Sequence, residues 1–175
     1  TKNTTYVSRS GYTFSNGAPF QEFRKGSYGS INVVQALTVS SNIFFCEAIR
    51  DWDMNELVPY LEAFGIGEYT GIDILGEMPG RLPSPQNKIK LAQTTSPWLE
   101  PIWYPEGDSC NSVIGQGITL VTPIQMSNWM ATIANGGNVL VPHVAKKFVD
   151  ENGLEYPVEY SPIKENIVSN TSLEL

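Results

Sequence analysis

The chain has 175 residues, with 18 acidic against 11 basic side chains and a formal net charge of −7. A hydrophobic content of 41% excludes a disordered tail. A pI near 4.7 with no basic run argues against nucleic acid as a partner, because phosphate contacts need clustered Lys and Arg. Charged residues make up only 17%, against roughly 25% in an average soluble domain, so part of this surface is expected to face other protein.

Residues 1–29 mix Gly, Ser, Tyr, Phe and Asn without a helical period. They read as a loop-rich entry with a short hairpin around Asn16-Gly17. Residues 30–65 read as helices. Ile31, Val34 and Leu37 recur at spacings of three behind Ser30, placed to cap, which predicts a helix near 31–39. After Ser40-Ser41-Asn42, the residues Phe44, Phe45, Ala48, Ile49 and Trp52 mark a mostly apolar, buried helix near 43–51. Asp53-Met54-Asn55-Glu56 opens a third near 55–64, whose period runs through Leu57, Leu61 and Phe64 until Gly65 stops it. Pro59 fits that helix only near its first turn. Residues 66–121 read as irregular, punctuated by Pro79-Gly80, Pro83-Ser84-Pro85 and Pro105. Thr122-Pro123-Ile124-Gln125 is a capping box with proline at the first helical position, and it opens a helix near 123–134 within the segment 122–137. Met126, Trp129, Met130 and Ile133 are expected to be its buried stripe. Two apolar runs flank Asp150-Glu151-Asn152-Gly153 and predict a hairpin over 144–158. The reading is an α+β fold, mainly helical, with a C-terminal hairpin.

Two cysteines, Cys46 and Cys110, make no disulfide framework, and no Cys/His cluster suggests zinc. Cys46 lies in an apolar stretch, where a buried inert thiol is its expected state. The single histidine, His143, follows Val141-Pro142 at a strand entry and reads as structural. Ser161-Pro162-Ile163-Lys164 matches Ser-x-x-Lys formally, but proline at its second position suits a loop. No metal or organic cofactor is implied. No apolar run approaches the roughly 20 residues that span a bilayer, so no membrane contact is expected of this segment. Ser40-Ser41-Asn42 is the chemical candidate. Ser-x-Asn between two helices can aim a hydroxyl and a carboxamide into one cleft, where one relays a proton and the other holds a substrate carbonyl. A helix N-cap explains Asn42 equally well.

The stretch from Ala36 to Phe45 around Ser40-Ser41-Asn42 resembles the second active-site motif of penicillin-binding proteins. Thr70-Gly71-Ile72-Asp73-Ile74-Leu75-Gly76-Glu77, Gly80-Arg81-Leu82-Pro83, Gly107-Asp108, Ser112 to Gly117, Thr122 to Met126 and Ala134 to Gly137 extend the resemblance to class B members. It implies a partial transpeptidase fold and a serine acyl-enzyme reaction. A serine attacks the D-Ala-D-Ala end of a peptidoglycan stem peptide, D-alanine leaves, and the acyl group passes to an amine, with β-lactams mimicking the donor. Ser40 would be the catalytic residue that shares in proton transfer, and Asn42 would bind the substrate amide. The family's Ser-x-x-Lys nucleophile and its Lys-Ser/Thr-Gly strand are not among these residues, so the chain reads as the middle of the domain, inactive alone and partnered by the remainder of it. The parent is expected at the extracytoplasmic face of the bacterial cell membrane, anchored by an N-terminal helix. Two rival readings are a non-catalytic β-lactam or cell-wall sensor of the same fold, and a protein-interaction domain.

Overall fold

The computed structural model describes residues 1–24 and 26–173. Contacts within the chain group it into two units, Thr1–Val58 with Pro83–Thr119, and Pro59–Leu82 with Leu120–Leu175. Among the described residues helix outweighs strand, and the three sheets each have two antiparallel strands.

In the first unit, β1 (Thr5–Ser8) pairs with β4 (Gly29–Asn32), and β2 (Gly11–Thr13) pairs with β3 (Pro19–Gln21). The β2–β3 turn is the hairpin expected around Asn16-Gly17, with Gly17 at φ 83° supplying the conformation other residues resist. The entry is otherwise loop-rich, with β1 added to it because β4 finds its partner 21 or more residues earlier in the chain. Helix α1 (Val33–Val39) starts two residues later than expected. Its cap is Asn32, whose side chain and that of Gln35 exchange hydrogen bonds with each other's backbone, and Ile31 belongs to β4. Val34 and Leu37 are exposed and Ala36 is buried, so the spacing of three did not mark the inner face.

Helix α2 (Asn42–Ala48) buries Ile43, Phe44 and Cys46 and ends before Ile49. Trp52, beyond it, is half exposed. Phe44 packs edge-on against Tyr6 of β1 and against Phe45. A second cluster joins Phe20, Ile43, Cys46 and Cys110. There the expectation of an inert thiol fails: Cys46 and Cys110 form a disulfide. The tertiary fold brings two cysteines 64 residues apart to one site, which spacing alone could not indicate.

Helix α3 (Met54–Ala63) spans the boundary between the units and carries Pro59 in its middle, not in its first turn. Proline lacks an N–H, so the carbonyl four residues earlier accepts no helical bond from it. Gly65, at φ 78°, closes the helix. The segment 66–121 is less irregular than its prolines suggested. Ser84 caps α4 (Pro85–Gln93), with proline at the first position, and a π-type turn (Pro105–Ser109) runs into α5 (Cys110–Val113).

In the second unit, α6 (Pro123–Ala134) forms as expected with its Thr122/Gln125 capping box. Its buried residues are Gln125, Asn128 and Thr132, whereas Met126, Met130 and Ile133 are exposed. Polar hydrogen bonding, not the methionine stripe, seats this helix. Strands β5 (Lys147–Val149) and β6 (Glu155–Pro157) form the C-terminal hairpin, and α7 (Asn170–Leu173) follows.

Candidate functional site

The turn between α1 and α2 is built by local bonding. The Ser40 and Ser41 backbone N–H groups both reach the Ala36 carbonyl as α1 ends. Ser40 then takes the left-handed conformation, φ 55° and ψ 53°. Among the described residues only Ser40 and Asn166 do so without being glycine. That conformation costs an L residue roughly 1–2 kcal/mol, and such strain gathers at functional sites. Ser40 is exposed. It borders an open depression of about 470 Å³ together with Phe23, Arg24, Tyr28 and Thr38.

Ser41, not Asn42, is the N-cap of α2: its hydroxyl accepts from the Phe44 N–H at 3.1 Å. Asn42 is the first helical residue. Its side-chain Nδ2 donates to the Gln21 carbonyl at 2.9 Å, and its backbone N–H donates to Glu22 Oε2 at 2.7 Å. The fold thus brings Ser40 and Asn42 to one turn, with Ser40 on the depression and Asn42 tied to the end of β3.

Glu22 was not visible to sequence reasoning, since a lone acidic residue in Phe20-Gln21-Glu22-Phe23 carries no pattern. It is 4% exposed, and its Oε1 accepts from the hydroxyls of Ser8 and Ser41, each at 2.6 Å. Ser8 in turn accepts from the Tyr28 N–H at 3.2 Å, and its carbonyl accepts from the Ser27 hydroxyl. Lys88 is a second buried charge without a sequence signal. It is 6% exposed and meets Asp108 Oδ2 at 2.6 Å, an oxygen that also accepts from the Tyr104 N–H at 2.7 Å. The Cys46–Cys110 disulfide ties α2, one turn beyond Asn42, to α5.

The Thr70 to Glu77 and Thr122 to Met126 blocks have structural uses in the second unit. Gln125 Nε2 donates to the carbonyls of Glu68 and Pro79, each at 2.8 Å. Its Oε1 accepts from the Thr122 N–H at 2.9 Å. Glu77 accepts from the Thr70 N–H at 2.6 Å, the Thr70 hydroxyl at 2.5 Å and the Gly71 N–H at 3.1 Å. Partial burial opposes the charge on Glu77, but these bonds outweigh it and hold its pKa below the ordinary 4.5. Asp73 accepts from the Val144 and Ala145 N–H groups at 2.8 Å and from the Tyr160 hydroxyl at 3.3 Å. The two backbone donors lead in holding it below the ordinary 3.8. His143 stacks on Tyr160 at 3.8 Å, the structural role expected of it. Ser161 to Lys164 forms no helix, and Lys164 pairs with Glu68 at 2.8 Å.

Among the described residues no group of three or more His, Cys, Asp or Glu is placed to hold a metal ion. No helix there is long and apolar enough to cross a membrane.

A family model described as the penicillin binding protein transpeptidase domain matches residues 1–175. The chain is 33% identical over 138 residues to the peptidoglycan D,D-transpeptidase MrdA of Escherichia coli strain K12, covering 79% of this chain and 20% of that protein. Its structure is similar to a penicillin-binding protein PBP2 of Helicobacter pylori solved in complex with MreC, with TM-score 0.77, 24% identity and coverage of 99% of this chain and 29% of that one. It is also similar to Pseudomonas aeruginosa PBP2 in complex with WCK 5153, with TM-score 0.77, 23% identity and coverage of 99% and 37%. The chain therefore spans about a fifth to a little over a third of these relatives' lengths.

Proposed function

Because the chain belongs to the penicillin-binding protein transpeptidase family, we propose that it supplies the Ser-x-Asn part of a D,D-transpeptidase active site that cross-links peptidoglycan and is acylated by β-lactams. A serine nucleophile in the remainder of the domain attacks the penultimate D-alanine carbonyl of the donor stem peptide. The peptide C–N bond breaks and D-alanine leaves with a proton. An amine of a neighbouring strand then attacks the acyl-serine, and the serine recovers its proton as the cross-link forms. Ser40 relays a proton between the nucleophile, its base and the leaving amine. Asn42 holds the donor amide or the antibiotic side chain.

One observation carries this reading: Ser40 is an exposed non-glycine residue in a left-handed turn beside an open depression. The exposed apolar residues of α1 (Val34, Leu37) and of α6 (Met126, Met130, Ile133) support a partner in the remainder of the domain, which covers them. The complex of the Helicobacter pylori relative with MreC supports a protein partner for the whole protein. The Cys46–Cys110 disulfide supports an extracytoplasmic location, since such bonds persist in oxidising compartments.

The test is Asn42→Ala in the full-length protein, with acylation followed by fluorescent penicillin and mass spectrometry. Slower acylation is expected, with a stability loss no larger than the roughly 1 kcal/mol of the one Gln21 hydrogen bond, because Ser41 rather than Asn42 caps the helix. An unchanged acylation rate removes Asn42 from the mechanism.

A further inference from the structure

Glu22 is the only acidic side chain among the buried polar residues described. Burying a carboxyl is costly unless its oxygens are bonded, and all but one of this one's bonds come from the Ser41–Ile43 turn. Oε1 takes the Ser41 hydroxyl and Oε2 takes the Asn42 N–H, with the Ile43 N–H farther off at 3.5 Å. The Ser8 hydroxyl fixes the carboxyl from behind, from β1. The preceding residue, Gln21, binds the Asn42 side chain through its carbonyl. Gln21 and Glu22 therefore grip both the backbone and the carboxamide of Asn42.

Helix α2 does not need this grip merely to start, because Ser41 already caps it. What the grip adds is a fixed place for the two residues that follow Ser40. With Ser41 held by Glu22 on one side and by the Ala36 carbonyl on the other, Ser40 is left with its left-handed conformation. An Asn carboxamide has two N–H donors and an acceptor oxygen; one N–H goes to Gln21, which leaves the other groups for a ligand.

We propose that Glu22 is a positioning residue for the Ser40-x-Asn42 motif, acting on acyl transfer through these two residues and not by touching substrate. The proposal rests on the transpeptidase reading above. It makes a prediction that a purely structural glutamate does not: its effect on acylation must disappear once the positioned groups are gone.

The experiment is a double-mutant cycle in the full-length protein, read as the acylation rate constant with fluorescent penicillin and, separately, as the melting temperature. Glu22→Gln keeps the shape and removes the charge. It is expected to slow acylation about tenfold, within the coupling range of residues sharing one hydrogen-bond network. In a Ser40→Ala/Asn42→Ala background it is expected to change acylation by less than about twofold, while lowering the melting temperature as much as before. Equal slowing in both backgrounds, or no slowing in the first, overturns the proposal. If Glu22→Gln does not fold, Ser8→Ala replaces it in the same cycle, since Ser8 reaches the motif through Glu22. A smaller loss, about threefold and again confined to the intact motif, is then expected, and equal losses overturn the proposal. A wild-type protein that forms no penicillin adduct overturns the transpeptidase reading and takes this proposal with it, whereas an adduct with additive losses overturns the proposal alone.

Discussion

Reducing the Cys46–Cys110 bridge should destabilise the protein by an amount its loop length sets. The two cysteines are 64 residues apart. For a loop of that size, the chain-entropy relation gives about 14 cal/mol/K, or about 4 kcal/mol at 25 °C. Residual structure in the unfolded chain lowers this, so about 2–4 kcal/mol is expected. Both sulfurs sit in a cluster with Phe20 and Ile43, and each cysteine is 5% exposed. Reduction leaves two thiols in the same packing, so it isolates the cross-link. Cys46→Ala/Cys110→Ala removes the sulfurs as well and should cost about 1–2 kcal/mol more. Urea unfolding of the oxidised, reduced and double-alanine forms separates the terms. With slopes of about 1–3 kcal/mol/M, the oxidised midpoint should lie on the order of 1–2 M above the reduced one. Coincident oxidised and reduced midpoints would refute the entropy argument. Two free thiols per chain, labelled in denaturant without reductant, would refute the bridge itself.

Gly80→Ala and Gly76→Ala should differ although both glycines have positive φ. A Cβ on Gly80 collides with the Leu120 carbonyl and meets Gln125 Oε1 at 2.9 Å, whereas one on Gly76 meets nothing within 4 Å. Gly76→Ala should cost only the left-handed strain of about 1 kcal/mol, and Gly80→Ala about 1–3 kcal/mol beyond that; equal denaturation midpoints would show that the contact yields freely. Asp73→Asn should destabilise the protein at pH 7, with the difference shrinking in acid. The folded pKa of Asp73 lies below the ordinary 3.8, so its contribution is complete above that value and is lost as pH falls through the lowered one. Melting curves of both proteins across this range check it, and a penalty that stays constant into strong acid counts against the Val144 and Ala145 bonds as its source.

Elements specified within a few residues were legible from the chain alone. The α6 start at Thr122-Pro123-Ile124-Gln125 and the turns at Asn16-Gly17 and Asp150 to Gly153 are contacts of three or four residues' reach. A reader of residue types can see them, because cap and turn chemistry is local. The placement of Ser40 and Asn42 at a turn between helices was legible for the same reason. Helix α4 had a local signal too, Ser84 before Pro85, but neighbouring prolines and a polar helix body hid it.

Which face of each helix turns inward was decided only by the tertiary structure. Periodicity says which residues share a face, not which face finds partners. On α6 the inward face is Gln125, Asn128 and Thr132, because the Gln125 carboxamide meets carbonyls 57 and 46 residues away and so satisfies a group that would otherwise be costly to bury. The same holds for Glu22, whose partners Ser8, Ser41 and Asn42 lie 14 to 20 residues off, and for Cys46 with Cys110. Each of these groups is bland in the sequence, and each becomes stable or useful only when the folded chain brings its distant partner within bonding distance.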